Sequence, residues 1–258
     1  MSAFDLIFLG TCACDFSPKL KNEFKDKFDP DARRASSVLL NGKFLIDCGP
    51  HCCSSLEIIN KNFSEISDIF FTHFHSDHFN EENVRKIALS RKEPLRLWAR
   101  ADAEIPEIEN TEIIRMEKET VYKYGGMKIT ALEANHDETA FPQWLLFEKN
   151  RKKFLYALDG AWYMLNTYNF LKNSRLSLLV CDATVGDYEG DYRMAEHNSI
   201  PMIRLMLPSL KTAGIVDGKT EIVLSHLAPS LHKSHKETEK ISSEFGAKTA
   251  FDGMKITI

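Results

Sequence analysis

Phe71-Thr72-His73-Phe74-His75-Ser76-Asp77-His78 decides how the rest of this chain is read. Three imidazoles and one carboxylate stand within six residues, directly after the apolar run Ile69-Phe70-Phe71. A strand that stops and presents four metal-capable side chains has few uses other than holding metal. Imidazole nitrogen with carboxylate oxygen suits zinc, manganese or iron. His73 and His75 lie two apart, so in an extended segment they point the same way. Asp77 and His78 follow where the chain must turn, so one segment can serve two neighbouring ions.

The same event recurs outward from this stretch. A strand ends, and a His or Asp follows, at Asp47, His73, His136, Asp159, Asp182 and His226. The strands themselves are read from alternation and turn residues. Phe4 to Leu9 is one, and Ser37 to Leu40 with Lys43 to Asp47 flank the hairpin signal Asn41-Gly42. Asp68 to Phe71, Leu95 to Trp98, Met127 to Leu132, Leu176 to Val180 and Glu221 to Leu224 are others. Trp144 to Phe147 and Lys153 to Leu158 form a second hairpin pattern, and Lys248 to Ile258 a closing strand or hairpin.

Helices are predicted over 51–62 and Glu81 to Arg91. Another is predicted after Asn198 as cap, with Ile200, Ile203, Leu207 and Leu210 on one face. Ser234 and Glu237 make a capping-box pattern for a last helix ending near Gly246. The segment from Cys12 to Arg34 is a polar excursion. Strands that each donate one polar group at the same end build a site along one rim. His136, Asp159 and His226 are therefore the candidates to complete the metal ligation.

Composition narrows the classes. The chain has 258 residues, a net charge of −4 and 43% hydrophobic residues, as soluble globular proteins do. No run of about 18 apolar residues predicts a membrane span, and the N-terminal residues lack a signal-peptide pattern. The six cysteines fit neither a disulfide framework nor paired zinc knuckles. Reduced thiols in the cytoplasm are the expectation. The acidic balance gives no electrostatic case for a stable nucleic-acid partner.

These residues resemble the metallo-β-lactamase superfamily, whose motif is H-x-H-x-D-H. The likeness includes Leu9-Gly10-Thr11, Leu45-Ile46-Asp47-Cys48-Gly49, His136, Asp159-Gly160 and Ser225-His226-Leu227. It implies one α+β domain over residues 1–258, built as a four-layer αββα sandwich, the metallo-β-lactamase fold. Within the superfamily, Arg33-Arg34, the segment from Asn135-His136 through Leu146, and Phe251-Asp252-Gly253-Met254 resemble the cyclic phosphodiesterase branch of bacterial phosphonate degradation. That branch carries an early cysteine-rich zinc loop. Only Cys12-Ala13-Cys14 stands here, so no such structural zinc is expected.

The resemblance gives each position a role. His73, His75 and His136 would hold one divalent ion, and Asp77, His78 and His226 a second, with Asp159 between them. Zinc or manganese is expected, with iron a third option, and a bridging hydroxide would be the nucleophile. His197 would act as general acid or phosphate-oxygen stabiliser, placing it with Asp77 among the catalytic groups. Asp47 and Asp182 would orient ligands from behind. Arg33 or Arg34 would bind a substrate phosphate if not simply surface charge.

The leading expectation is a phosphodiesterase for a small cyclic phosphate or nucleotide. The alternatives are a thioester, lactone or β-lactam hydrolase, a transfer-RNA 3′-processing-like nuclease, and a metal-binding protein without turnover. The partner expected is a small phosphorylated substrate, with no membrane, and the resemblance suggests a homodimer.

Overall fold

Alternating apolar residues give the first strand two buried faces, Leu6 and Phe8 on one side and Leu9 on the other. In the computed structural model, which describes residues 2–258, this strand is β1 (Asp5–Gly10). It is followed by β2 (Ser37–Leu40), β3 (Phe44–Ile46), α1 (Cys52–Ile58), β4 (Asp68–Phe70), α2 (Glu81–Leu89), β5 (Leu95–Arg100) and β6 (Thr111–Met116). Next come β7 (Val121–Tyr124), β8 (Met127–Glu133), β9 (Gln143–Lys149), β10 (Lys152–Ala157), α3 (Leu165–Leu171) and β11 (Leu178–Asp182). The chain ends with α4 (Ile200–Thr212), β12 (Glu221–Ser225), α5 (His235–Ser243), β13 (Ala247–Thr249) and β14 (Lys255–Thr257).

The strands form two seven-stranded sheets, ordered β14-β1-β2-β3-β4-β5-β6 and β13-β12-β11-β10-β9-β8-β7. One face of each sheet meets the other across Phe8, Val38, Phe70, Ile129, Phe147, Phe154 and Val180. The outer face of the first sheet packs Leu45, Ile69 and Leu97 on Leu56, Val84 and Ile87 of α1 and α2. That of the second packs Leu155, Leu179 and Leu224 on Leu171, Ile203, Leu207 and Leu210 of α3 and α4. This is the αββα sandwich. Among the described residues no helix is long and apolar enough to cross a membrane.

Strand direction explains the shared rim. β3, β4 and β5 run parallel, as do β10, β11 and β12. β8 is antiparallel to β9, which is antiparallel to β10, so β8 shares the sense of β10. Within each sheet, the groups that follow these strands therefore emerge at one end.

Several sequence expectations need correction. α1 stops at Ile58 rather than 62, because Asn60 adopts left-handed backbone (φ 54°). Ser199, not Asn198, caps α4 and accepts from the Met202 N–H at 3.3 Å. Lys248 to Ile258 is not a hairpin: β13 joins the second sheet and β14 the first. β6, β7 and α3 were not foreseen.

Tyr156 is fully buried between the sheets, and its hydroxyl finds no hydrogen-bond partner among the described residues. Tyr156→Phe removes that unpaired group while keeping the ring. It is expected to raise the chemical-denaturation stability by about 1 kcal/mol. A loss of comparable size would show that the hydroxyl is bonded in solution.

Candidate metal centre and pocket

The histidine loop is anchored before it reaches any ion. The Cys48 N–H donates to the His78 carbonyl (2.9 Å), and the Asn80 N–H to the Cys48 carbonyl (2.8 Å). Gly49 passes directly beneath the loop; a Cβ there would lie 1.8 Å from the Asp77 carbonyl oxygen. The backbone N–H and hydroxyl of Thr72 both donate to Asp47, each at 2.8 Å. Asp47 also accepts from Nδ1 of His78 at 2.8 Å, which turns Nε2 of His78 inward.

The other imidazoles follow the same rule: one nitrogen is held from behind and the second faces the centre. Nδ1 of His73 lies 3.0 Å from the Thr72 hydroxyl, and Nδ1 of His226 lies 2.7 Å from the Thr184 hydroxyl. Nδ1 of His136 faces the Glu196 carbonyl at 3.4 Å. His75 is reversed, with Nε2 toward Asp137 at 3.4 Å and Nδ1 inward.

The inward atoms gather into two sets. Nδ1 of His75 stands 3.2 Å from Nε2 of His73 and 3.1 Å from Nε2 of His136. Nε2 of His226 stands 3.1 Å from Nε2 of His78 and 3.3 Å from Oδ2 of Asp77. Nitrogen donors placed tetrahedrally around one zinc at about 2.0–2.1 Å would be about 3.3 Å apart. Asp159 is turned to both sets. Its Oδ1 is 3.8 Å from Nε2 of His73 and of His136, and its Oδ2 is 2.9 Å from Nε2 of His78 and 3.2 Å from Nε2 of His226. Oδ2 is buried and makes no well-aligned hydrogen bond. Nitrogen and oxygen donors converging around a buried carboxylate fit divalent cations.

Electrostatics agree with that fit. Burial resists charge on Asp159 and Asp77, yet the surrounding histidines hold both carboxyls well below the ordinary range. Burial also resists charge on His226, but Asp159, Asp182 and Asp77 outweigh it and hold its pKa at about 10. These groups favour positive charge at the centre of the cluster.

Three of the residues that shape the site bend the backbone into the left-handed region: Asp47 (φ 61°), Asp159 (φ 48°) and His226 (φ 58°). Each stands just past a strand. Such conformations cost of order 1–3 kcal/mol in non-glycine residues and concentrate at functional sites.

The sets open into a pocket of about 320 Å³, lined among others by Cys14, Asp15, Thr184, Arg193, Glu196 and His197. Asp182 accepts from Nδ1 of His197 at 2.9 Å and from the Asn198 N–H at 3.0 Å. Burial pushes the His197 pKa down, but Asp182 and Asp159 reverse this and leave it raised. Asn198, expected as a cap, instead accepts from the Trp162 N–H and donates to the Gly160 carbonyl.

Arg33 and Arg34 lie elsewhere. They are 5% and 2% exposed, so neither is surface charge. Arg33 bonds Thr11 and the Ala250 carbonyl, and Arg34 the carbonyls of Phe24, Lys25 and Lys27. Neither lines the pocket. The pocket's own guanidinium is Arg193, held by Asp191 at 2.8 Å and stacked 4.7 Å from the Tyr192 ring centre. Sequence reasoning missed it, as it missed Thr72 and Thr184. The spacing Asp182-Ala183-Thr184, a local side-chain turn, was the available signal for Thr184.

A family model described as "Anti-Pycsar protein Apyc1" matches residues 35–102, the stretch from β2 to the end of β5 with the histidine loop inside it. No curated protein matches the chain. Among solved structures, the metallo-β-lactamase fold protein YhfI from Bacillus subtilis aligns at 14% identity over 100% of both chains, with a TM-score of 0.75. Human tRNase Z, short form, aligns at 19% identity over 98% of this chain and 99% of that one, with a TM-score of 0.70. Zn(2+)-bound PqqB from Methylobacterium extorquens aligns at 14% identity over 98% of this chain and 100% of that one, with a TM-score of 0.65. The chain has the metallo-β-lactamase fold, with candidate metal-binding His/Asp clusters on its rim.

Proposed function

We propose that this protein is a two-ion metal-dependent phosphodiesterase acting on a small cyclic phosphate or nucleotide, in the reducing cytoplasm to which its free cysteines are suited. The observation that carries the proposal is Asp159, one oxygen toward each of two donor sets, with His197 and Arg193 on the wall of the same pocket. His73, His75 and His136 would hold one ion and Asp77, His78 and His226 the other, with Asp159 serving both. The donors, five imidazoles and two carboxylates, suit zinc or manganese. When bound, such ions neutralise phosphoryl oxygens and make water acidic enough to attack near neutral pH.

The chain's own groups supply the rest. Among the described residues Arg193 is the only Lys or Arg lining the pocket, and it offers a fixed positive charge to a phosphoryl oxygen. Asp182 keeps a proton on Nδ1 of His197 and sets the ring, leaving Nε2 to deliver a proton to the departing oxygen. Thr184, between Asp182 and His226, ties the proton donor's support to the metal ligands.

The test is a substrate screen on protein of measured metal content, using 2′,3′-cyclic nucleotides, phosphoribosyl cyclic phosphate, bis-(p-nitrophenyl) phosphate, thioesters and lactones. Phosphodiester turnover that chelation abolishes and zinc or manganese restores is expected. Turnover confined to the thioesters or lactones would overturn the proposal. Arg193→Ala should raise KM for phosphodiesters about 10–100-fold, the worth of one charge-assisted hydrogen bond. Metal content should not change, and Arg193→Lys should recover part of the loss. An unchanged KM removes Arg193 from substrate binding.

A further inference from the structure

A second cavity, of about 190 Å³, shares Leu231 with the metal pocket as a lining residue. Its walls come from the segments after β11 and β12 together with α4 and α5: Asp187, Tyr188, Ile200, His232, Lys233 and Thr238 among them. The two segments are pinned together. The Ala228 N–H bonds the Thr184 carbonyl, and Nε2 of His232 donates to the Ala183 carbonyl at 2.7 Å. Thr184 and Ser230 line the metal pocket, so each segment runs from that pocket to the second cavity within a few residues.

The wall groups have a specific chemistry. The bond to Ala183 fixes the His232 proton on Nε2 and leaves Nδ1 as a pure acceptor. Burial pushes the His232 pKa down to about 4, so the acceptor persists at neutral pH. Tyr188 lines the cavity and is 51% exposed. Among the described residues, Lys233 makes no ion pair within 4.0 Å. Ile200, Leu231 and Ile241 add apolar lining. The start of α4 is not a rival anion site, since the Ile200 N–H bonds Gly186, residue 201 is proline, and the Met202 N–H bonds Ser199.

An aromatic ring, a neutral acceptor and a free ammonium beside apolar residues, with the Asp187 carboxylate as a further acceptor, match a planar heterocycle that carries N–H donors and carbonyl or ring-nitrogen acceptors. We infer that this cavity is the base-binding subsite of the enzyme, taking the nucleobase of a cyclic nucleotide whose phosphate lies in the metal pocket. The inference rests on the phosphodiesterase reading for the phosphate end and adds Tyr188, His232 and Lys233 as specificity-determining residues. Tyr188 stacks on the ring, His232 Nδ1 accepts a base N–H, and Lys233 donates to a base acceptor.

Adenosine and cytidine carry a base without a phosphate, so they test the subsite alone. Calorimetric titration of zinc-loaded protein should show binding of at least one of them, weakened about 10-fold by Tyr188→Ala and kept by Tyr188→Phe, as loss of one base–aromatic stack predicts. In steady state, Tyr188→Ala should raise KM for adenosine and cytidine 2′,3′-cyclic monophosphates and leave KM for phosphoribosyl cyclic phosphate, which has no base, unchanged. Neither nucleoside binding, or an equal effect on base-bearing and base-free substrates, would overturn the inference while leaving the phosphodiesterase reading in place. Nucleoside binding that depends on Tyr188, in protein that turns over no phosphodiester, would keep the subsite and remove that reading.

Discussion

His197→Ala is expected to lower turnover of a cyclic phosphate by about 10²–10⁴-fold, the usual contribution of a positioned general acid. The alkoxide released by ring opening is a poor leaving group and needs the proton. A nitrophenyl diester releases a stabilised phenolate and should lose about 10-fold or less. That contrast separates proton delivery from damage to the site, because a damaged site loses both substrates alike. Metal content should stay at the wild-type level, since His197 stands outside the two donor sets that Asp159 joins. Equal loss on both substrates, or no loss on the cyclic phosphate, rules out the acid role.

Gly49→Ala is expected to be as damaging by a different route. Its new Cβ would overlap the Asp77 carbonyl oxygen at 1.8 Å and press the Ala35 Cβ at 3.2 Å. Sliding apart is blocked, because Cys48 is bonded to both His78 and Asn80. The histidine loop must lift, carrying Asp77 and His78 away from His226 and Asp159. Overpacking of this kind costs about 1–3 kcal/mol, and disturbed ligand support lowers metal affinity about 10–100-fold. Denaturant titration and elemental analysis read the two effects separately; the Asp77–His78–His226 ion should be the one lost. Gly218→Ala, with nothing within 4 Å, is the control and should stay within about 0.5 kcal/mol of wild type. A Gly49→Ala protein with full metal content would show that the loop is more compliant than its bonds suggest.

Most of the frame was legible because burial on both faces writes itself into continuous apolar runs. β1, β2, β3 and β10 pack both faces, and their apolar runs are dense. β6 and β7 lie at the ends of their sheets, half-exposed, and their apolar residues are broken by Glu112 and Arg115 in β6 and Lys123 in β7. α3 has no side-chain cap, and Leu165 is 71% exposed, so its start leaves no signal. The histidine run was legible since its spacing is local. The burial of Arg33 and Arg34 was not. Arg33 reaches the Ala250 carbonyl and Arg34 the Asp252 carboxylate, each more than 200 residues away, while the nearer carbonyls of Phe24, Lys25 and Lys27 lie in the polar excursion, and charge on its own reads as surface. Arg193 shows the converse, a charge in a single 3-10 turn (Tyr192–Ala195) that only the pocket distinguishes.

The left-handed backbone at Asp47, Asp159 and His226 bears on how this centre can be dissected. Alanine at any of them confounds two losses, the donor and a conformation that a Cβ-bearing residue without a local polar contact resists. Asparagine tolerates that conformation. Swapping Asp159 for asparagine removes the negative charge while sparing the bend, so a phenotype there can be laid to chemistry rather than to a collapsed corner.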